Sequence, residues 1–185
     1  FKIGFKNYKL MLINTNVKHD LSESAYNDRR AVCEKVSRSL GVIALRDVSL
    51  KQLQDNKGLF SVEEYLKAQY VIEENNRVHK FSEAIQKNDM KTLGSLLFES
   101  HHGLSQQYQV SCKELDFLVE QAIQINGIIG ARMMGGGFGG CTINLVKKDD
   151  YKNLKKEMTR RFQAVFKRNC SIFSVKLSQG TRIIN

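Results

Sequence analysis

No window of these 185 residues approaches the roughly 18 to 20 uninterrupted apolar positions that cross a bilayer. The leading stretch "FKIGFKNYK" lacks the cleavable pattern of a signal peptide, so a soluble protein with no membrane partner is expected. Proline is missing altogether, which gives no functional direction. Cys33, Cys112, Cys141 and Cys170 form no C-x-x-C pair and have no metal-ligand spacing with any histidine. They read as reduced thiols at or near the core of a cytoplasmic protein, and no metal-binding residues are expected. Internal repeats and low-complexity linkers are also lacking, so the length and the 42% hydrophobic content favour one domain, residues 1–185.

Lys and Arg outnumber Asp and Glu by 29 to 19, a formal charge of +10. The charges are spread along the chain, and no aromatic platform is interleaved with them, so a nucleic-acid partner is not expected. The densest cluster, "KNLKKEMTRRF", carries Leu154, Met158, Phe162 and Val165 at helical spacing. It reads as an amphipathic helix with a basic outer face.

The apolar run within Tyr8–Val17 predicts a strand, and "LSESAYNDRRAVCEKVSRSLG" a helix with Ser22 or Ser24 as N-cap and Gly41 as stop. Three helical patterns follow between Ser61 and Asn126, with breaks at Lys87–Met90 and across His101–Ser111. In the first, Val62, Tyr65, Leu66, Ala68, Tyr70 and Ile72 are too dense for one solvated face, which predicts a helix covered on more than one side. Then "GIIGARMM" and "CTINLVKK" suit two strands meeting at a turn, before a helix over Tyr151–Lys167 and a last strand through Ile172, Phe173, Val175 and Leu177. The class is α+β, its sheet covered by the helices.

The turn between those strands, "GGGFGG", holds five glycines in six positions. Gly135, Gly137 and Gly140 formally fit G-x-G-x-x-G, but the continuation "CTINLV" is β-like where a dinucleotide site needs a helix. No Gly-Lys-Ser/Thr closes the run as a P-loop would require. Two readings remain on residue types alone. Glycines can serve a tight hairpin, or they can let a ligand approach unobstructed amides that form an anion-binding nest. His101 and His102 have no nucleophile or carboxylate partner indicated by spacing, which favours a surface or helix-end role over general-base chemistry.

"GARMMGGGFGGCTINLV" resembles the third conserved motif of the GHMP small-molecule kinases, in the form carried by the galactokinase family. The Ser-x-Tyr-Asn-x-Arg-Arg core at Ser24–Arg30 is similar to a galactokinase segment. So are Leu93–Val119, with its Ser-His pair and Asp-x-Leu, and "SQGTRI" near the end. The resemblance implies a GHMP kinase C-terminal domain, a ferredoxin-like antiparallel sheet under a helical layer. It further implies transfer of the γ-phosphoryl of ATP, with Mg2+, to the anomeric hydroxyl of galactose. By the same resemblance Tyr26 binds the sugar through its phenol. Gly135, Gly136, Gly137, Gly139 and Gly140 line the active-site cleft, with Met133 and Met134 supporting them from the core. Asn27, Arg29 and Arg30 hold the start of their helix. The family's Gly-Glu-His-Thr-Asp core, serine-rich nucleotide loop and catalytic Arg and Asp do not occur here. The expectation is therefore a C-terminal half with no catalytic residue of its own, inactive alone, which leaves ATP and Mg2+ mainly to an N-terminal half. The alternative is a catalytically silent galactose- and ATP-binding relative of the same fold.

Overall fold

A computed structural model describes residues 5–17 and 22–177. Its strands are β1 (Tyr8–Asn14), β2 (Ile128–Met134), β3 (Cys141–Lys147) and β4 (Ser171–Val175). They form one sheet in the order β2-β3-β1-β4. Every neighbouring pair is antiparallel. The helices are α1 (Ser22–Ser39), α2 (Leu50–Asp55), α3 (Val62–Gln86), α4 (Met90–Gln106), α5 (Lys113–Gln124) and α6 (Tyr151–Phe166). The β-α-β-β-α-β order is thus the ferredoxin-like one, with the first crossover expanded into α1 to α5. No helix among the described residues is long and apolar enough to cross a membrane.

Alternation along the strands decides which layer covers which face. Met11 and Ile13 are fully buried with Leu118, Val119, Leu154, Met158 and Phe162, so α5 and α6 close one face. Leu10 and Leu145 lie on the other face, against Ala84 and Leu93 of α3 and α4. There α4 crosses β2 at backbone distance, because a Cβ on Gly94 would stand 2.1 Å from the Ile129 carbonyl oxygen. Cover on this second face is partial. Leu12 and Ile143 pair across the sheet and are half-buried, while Phe173, paired with Leu12, and Met134 are exposed.

Helix ends follow their chemistry. Ser61 and Glu64 make a reciprocal capping box at the start of α3, and Asp89 caps α4 by accepting from the Thr92 amide. Gly41 stops α1, with Val42 N–H donating back to the Ser37 carbonyl at 3.0 Å. The side chains of Ser22 and Ser24, and Ser178–Ile183, lie outside the described residues. As its composition requires, α3 is buried on several sides, through Ala68 and Ile72 in one cluster, Tyr70 in another and Ala84 in a third.

Three expectations need correction. Helix α4 does not break at His101 but continues to Gln106, since Gly103 is a notch for the Tyr70 ring, 2.6 Å from where its Cβ would sit. Val165 is exposed, and Phe166 joins the core in its place, edge-on to Phe117 at 5.2 Å between ring centroids. Met134 is exposed too, so Met133 alone supports the glycine turn from the core.

Candidate functional site

The turn joining β2 to β3 carries positive φ at Gly135 (91°), Gly137 (90°), Phe138 (58°), Gly139 (143°) and Gly140 (76°). Its trailing part is packed. Phe138 N–H donates to the Val110 carbonyl at 2.8 Å, and a Cβ on Gly137 would stand 1.9 Å from that same oxygen. The Gly140 carbonyl accepts from both the backbone N–H (2.8 Å) and the hydroxyl (3.0 Å) of Thr15. A Cβ on Gly139 would press on Val17 at 3.0 Å. Gly135 and Gly136 are different, being exposed with nothing within 4 Å of a Cβ position. The five glycines therefore form one continuous feature, closed on one side and open on the other.

Tyr26 lies on the first half of α1 and is 67% exposed. Its helix and the turn share a brace. Arg29 donates to the carbonyls of Tyr108 (3.1 Å) and Gln109 (2.8 Å), and the next residue, Val110, is the one that holds Gly137 and Phe138. Arg29 thus ties α1 to a distant loop, a different task from holding the helix start. Arg30 makes an exposed pair with Glu34, and Asn27 is exposed.

A second anchor of α1 is not signalled by the sequence. Lys67 on α3 is 2% exposed and donates to Asp28 at 2.6 Å, and it also pairs with Glu63 at 2.7 Å. The Lys67 hydrogen bond holds the Asp28 carboxyl below its ordinary range. Burial would pull Lys67 down, but the two carboxylates outweigh it and raise its pKa. Both groups are therefore charged at neutral pH. Nothing in the spacing points to this pair, because its members lie on different helices.

His101 departs from the expected surface role. It is buried, accepts the Met133 N–H at Nδ1 (3.2 Å) and presents Nε2 to Asp116 Oδ1 at 3.2 Å, in an alignment short of a regular hydrogen bond. Burial acts to raise the Asp116 pKa, yet the neighbouring His101 and Ser111 side chains outweigh it and hold the carboxyl below the usual value. His102, its neighbour, is exposed. Beside them Glu74 accepts from Ser100 (2.7 Å) and from Arg132 (3.0 Å), so the end of β2 is gripped by polar groups of α3 and α4.

Other candidates carry less. The Cys141 thiol is pushed up by burial, which keeps it protonated and unreactive at neutral pH. No group of three His, Cys, Asp or Glu side chains suited to a metal ion occurs among the described residues. A groove of about 620 Å³ runs past Cys33, Ile43, Arg46, Asn75 and His79, and none of the expected site residues lines it.

Residues 81–164 match the family described as GHMP kinases C terminal. The galactokinase of Thermotoga petrophila is 40% identical over 182 residues, covering 98% of this chain and 51% of its own length. The galactokinase of Homo sapiens is 43% identical over 138 residues, covering 75% of this chain and 35% of its own. The chain spans about half the length of the first of these relatives and less of the second. Among solved structures, Lactococcus lactis galactokinase complexed with galactose superposes with a TM-score of 0.91 at 30% identity, covering 96% of this chain and 47% of that one. The mevalonate kinase of L. major, at 22% identity and a TM-score of 0.61, shares the fold.

Proposed function

Since residues 81–164 match the GHMP kinase C-terminal family and galactokinases match nearly all of the chain, we propose that it is the C-terminal part of a galactokinase. The reaction passes the γ-phosphoryl of ATP to the anomeric hydroxyl of galactose, giving galactose 1-phosphate. The observation that carries this reading is the likeness to a galactose-bound galactokinase across 96% of the chain at a TM-score of 0.91. The chemistry is mostly positioning and charge stabilisation, and this chain's share of it is one wall of a cleft. Tyr26, exposed on a helix pinned by Arg29 and Lys67, offers a phenol to a sugar hydroxyl at little cost in side-chain entropy. Gly135 and Gly136 expose bare backbone on which sugar and transferred phosphate can close.

The catalytic Arg and Asp, the main ATP contacts and the Mg2+ ligands belong, on this reading, to residues outside these 185. The remainder of such an enzyme also supplies cover for the apolar strip of Leu12, Ile143 and Phe173. Turnover tests the reading directly. The chain alone is expected to phosphorylate no galactose, and supplying a galactokinase N-terminal half is expected to restore transfer. Activity of the isolated chain, or binding of both substrates without turnover after complementation, would contradict it. In the complemented enzyme Tyr26→Phe is expected to weaken galactose use about tenfold, the scale of one lost hydrogen bond. An unchanged galactose dependence removes Tyr26 from the site.

A further inference from the structure

Strand β2 is at the edge of the sheet, so its amides that face away from β3 need partners from elsewhere. The Met133 N–H finds one in His101 Nδ1, at 3.2 Å. We propose that His101 is a positioning residue for the glycine turn: its neutral imidazole, oriented by Asp116, fixes the Met133 amide and with it the place where Gly135 and Gly136 leave the sheet. The functional meaning rests on the turn being a wall of the galactose-phosphate site, but the geometry does not.

The anchors of the turn give this imidazole its weight. Val110 holds the middle through the Phe138 amide, and Thr15 holds the far end through the Gly140 carbonyl. The leading end leaves the sheet at Met134, which pairs with Cys141 of β3, and beyond that pair Gly135 and Gly136 face open space. What precedes them is the exposed Met134 and then Met133, whose side chain is fully buried and whose amide sits on His101. Displacing that amide therefore shifts the end of β2 from which the open glycines leave, while the trailing ones remain tied to Val110 and Thr15.

Protonation state follows from the same contacts. Nδ1 accepts an N–H, so it carries no proton, and the imidazole proton belongs on Nε2, opposite Asp116 Oδ1. A doubly protonated ring would set one donor against another at Met133, even as it strengthened the attraction to Asp116. The other groups around the ring are Ser105, His102 and Glu120, which line a common cavity of about 150 Å³ with it. The Glu74–Arg132 pair stands behind Ser100. Asp116 is the charged group in direct apposition, and its carboxyl is held ionised.

Nuclear magnetic resonance of the 15N-labelled chain tests this without any substrate. The expected wild-type signature at neutral pH is an Nε2–H tautomer with an accepting Nδ1, and a Met133 amide protected from hydrogen exchange. His101→Asn carries an acceptor near the Nδ1 position, so Met133 protection and the Gly135 and Gly136 amide shifts should stay near wild type. His101→Gln moves the acceptor towards the Nε2 position and His101→Ala removes it. Both should speed Met133 exchange about tenfold or more and shift the two glycine amides, with Leu145 unaffected. A cationic or Nδ1–H ring, an unprotected wild-type Met133 amide, or equal behaviour of the Asn and Gln variants overturns the proposal. Should His101→Ala not fold, the tautomer and the Asn/Gln pair still decide it. No readout depends on galactose or ATP, so this proposal and the galactokinase reading can fail separately.

Discussion

Within six residues the glycine turn contains two kinds of glycine. Gly137 and Gly139 are buried against Val110 and Val17, where a side chain would collide with the protein itself. Gly135 and Gly136 are exposed and collide with nothing. Of these two, Gly135 still has a local reason, its φ of 91°, while Gly136 lacks the positive φ of its neighbours. A glycine run that looks uniform in sequence therefore has three separate causes: close packing, backbone handedness, and a third that the fold of this chain does not supply.

Substitution by alanine along the run should separate those causes. Gly137→Ala carries the largest expected cost, because its Cβ would stand 1.9 Å from a backbone oxygen at a φ of 90°. Strain and forced movement together should destabilise the chain by about 3–5 kcal/mol, read from urea unfolding. A loss below about 1 kcal/mol would mean that the Val110 segment yields easily, and the division between packed and open halves would collapse. Gly135→Ala meets no neighbour, so only the backbone conformation resists it, at roughly 1–2 kcal/mol. Gly135→Asn should cost less than Gly135→Ala, since Asn tolerates positive φ better. Equal costs would point to a steric contact instead.

Acid should separate the halves as well, because the leading half hangs on an ionisable pair and the trailing half on carbonyls. The Asp116 carboxyl is depressed when folded. Its stabilisation is accordingly present above the ordinary carboxylate pKa and is lost as pH falls below that value towards the folded one. With a third of its side chain open to water, its worth is discounted to under about 1 kcal/mol. Asp116→Asn should then destabilise slightly at pH 7 and be indistinguishable from wild type in strong acid. A constant difference at both pH values would remove the charge from the explanation.

The order and class of the elements were readable because each is written locally. A short apolar run marks β1, Gly41 stops α1, and the Ser61–Glu64 box opens α3. Glycine misleads where its reason is distant. Gly103, beside two histidines, resembles a helix break, yet it accommodates Tyr70 from another helix. Between α1 and α3, two 3-10 turns and the six-residue α2 are too short to write a periodic pattern. The same limit hides the anchors of the site. His101 meets an amide 32 positions away, and Lys67 a carboxylate 39 positions away, so neither contact leaves a spacing that can be read. The resemblance to a family located Tyr26 and the glycines, but their supports emerged only with the fold.

Gly136→Ala has the smallest expected effect on the fold and tests the comparison most sharply. Its Cβ would enter open space without a positive φ to oppose it, so stability should stay within about 0.5 kcal/mol of wild type. If the open half exists to let sugar and phosphate reach the backbone, the same methyl group should stand where substrate must close. In the complemented enzyme kcat/KM for galactose should then fall by at least tenfold, or about 1.4 kcal/mol of transition-state stabilisation. Gly137→Ala should show the reverse balance, a large loss of stability accompanying any loss of activity. Full activity in Gly136→Ala would show that the open glycines are not shaped by substrate, and the glycine run would be left with packing and turn geometry as its only causes.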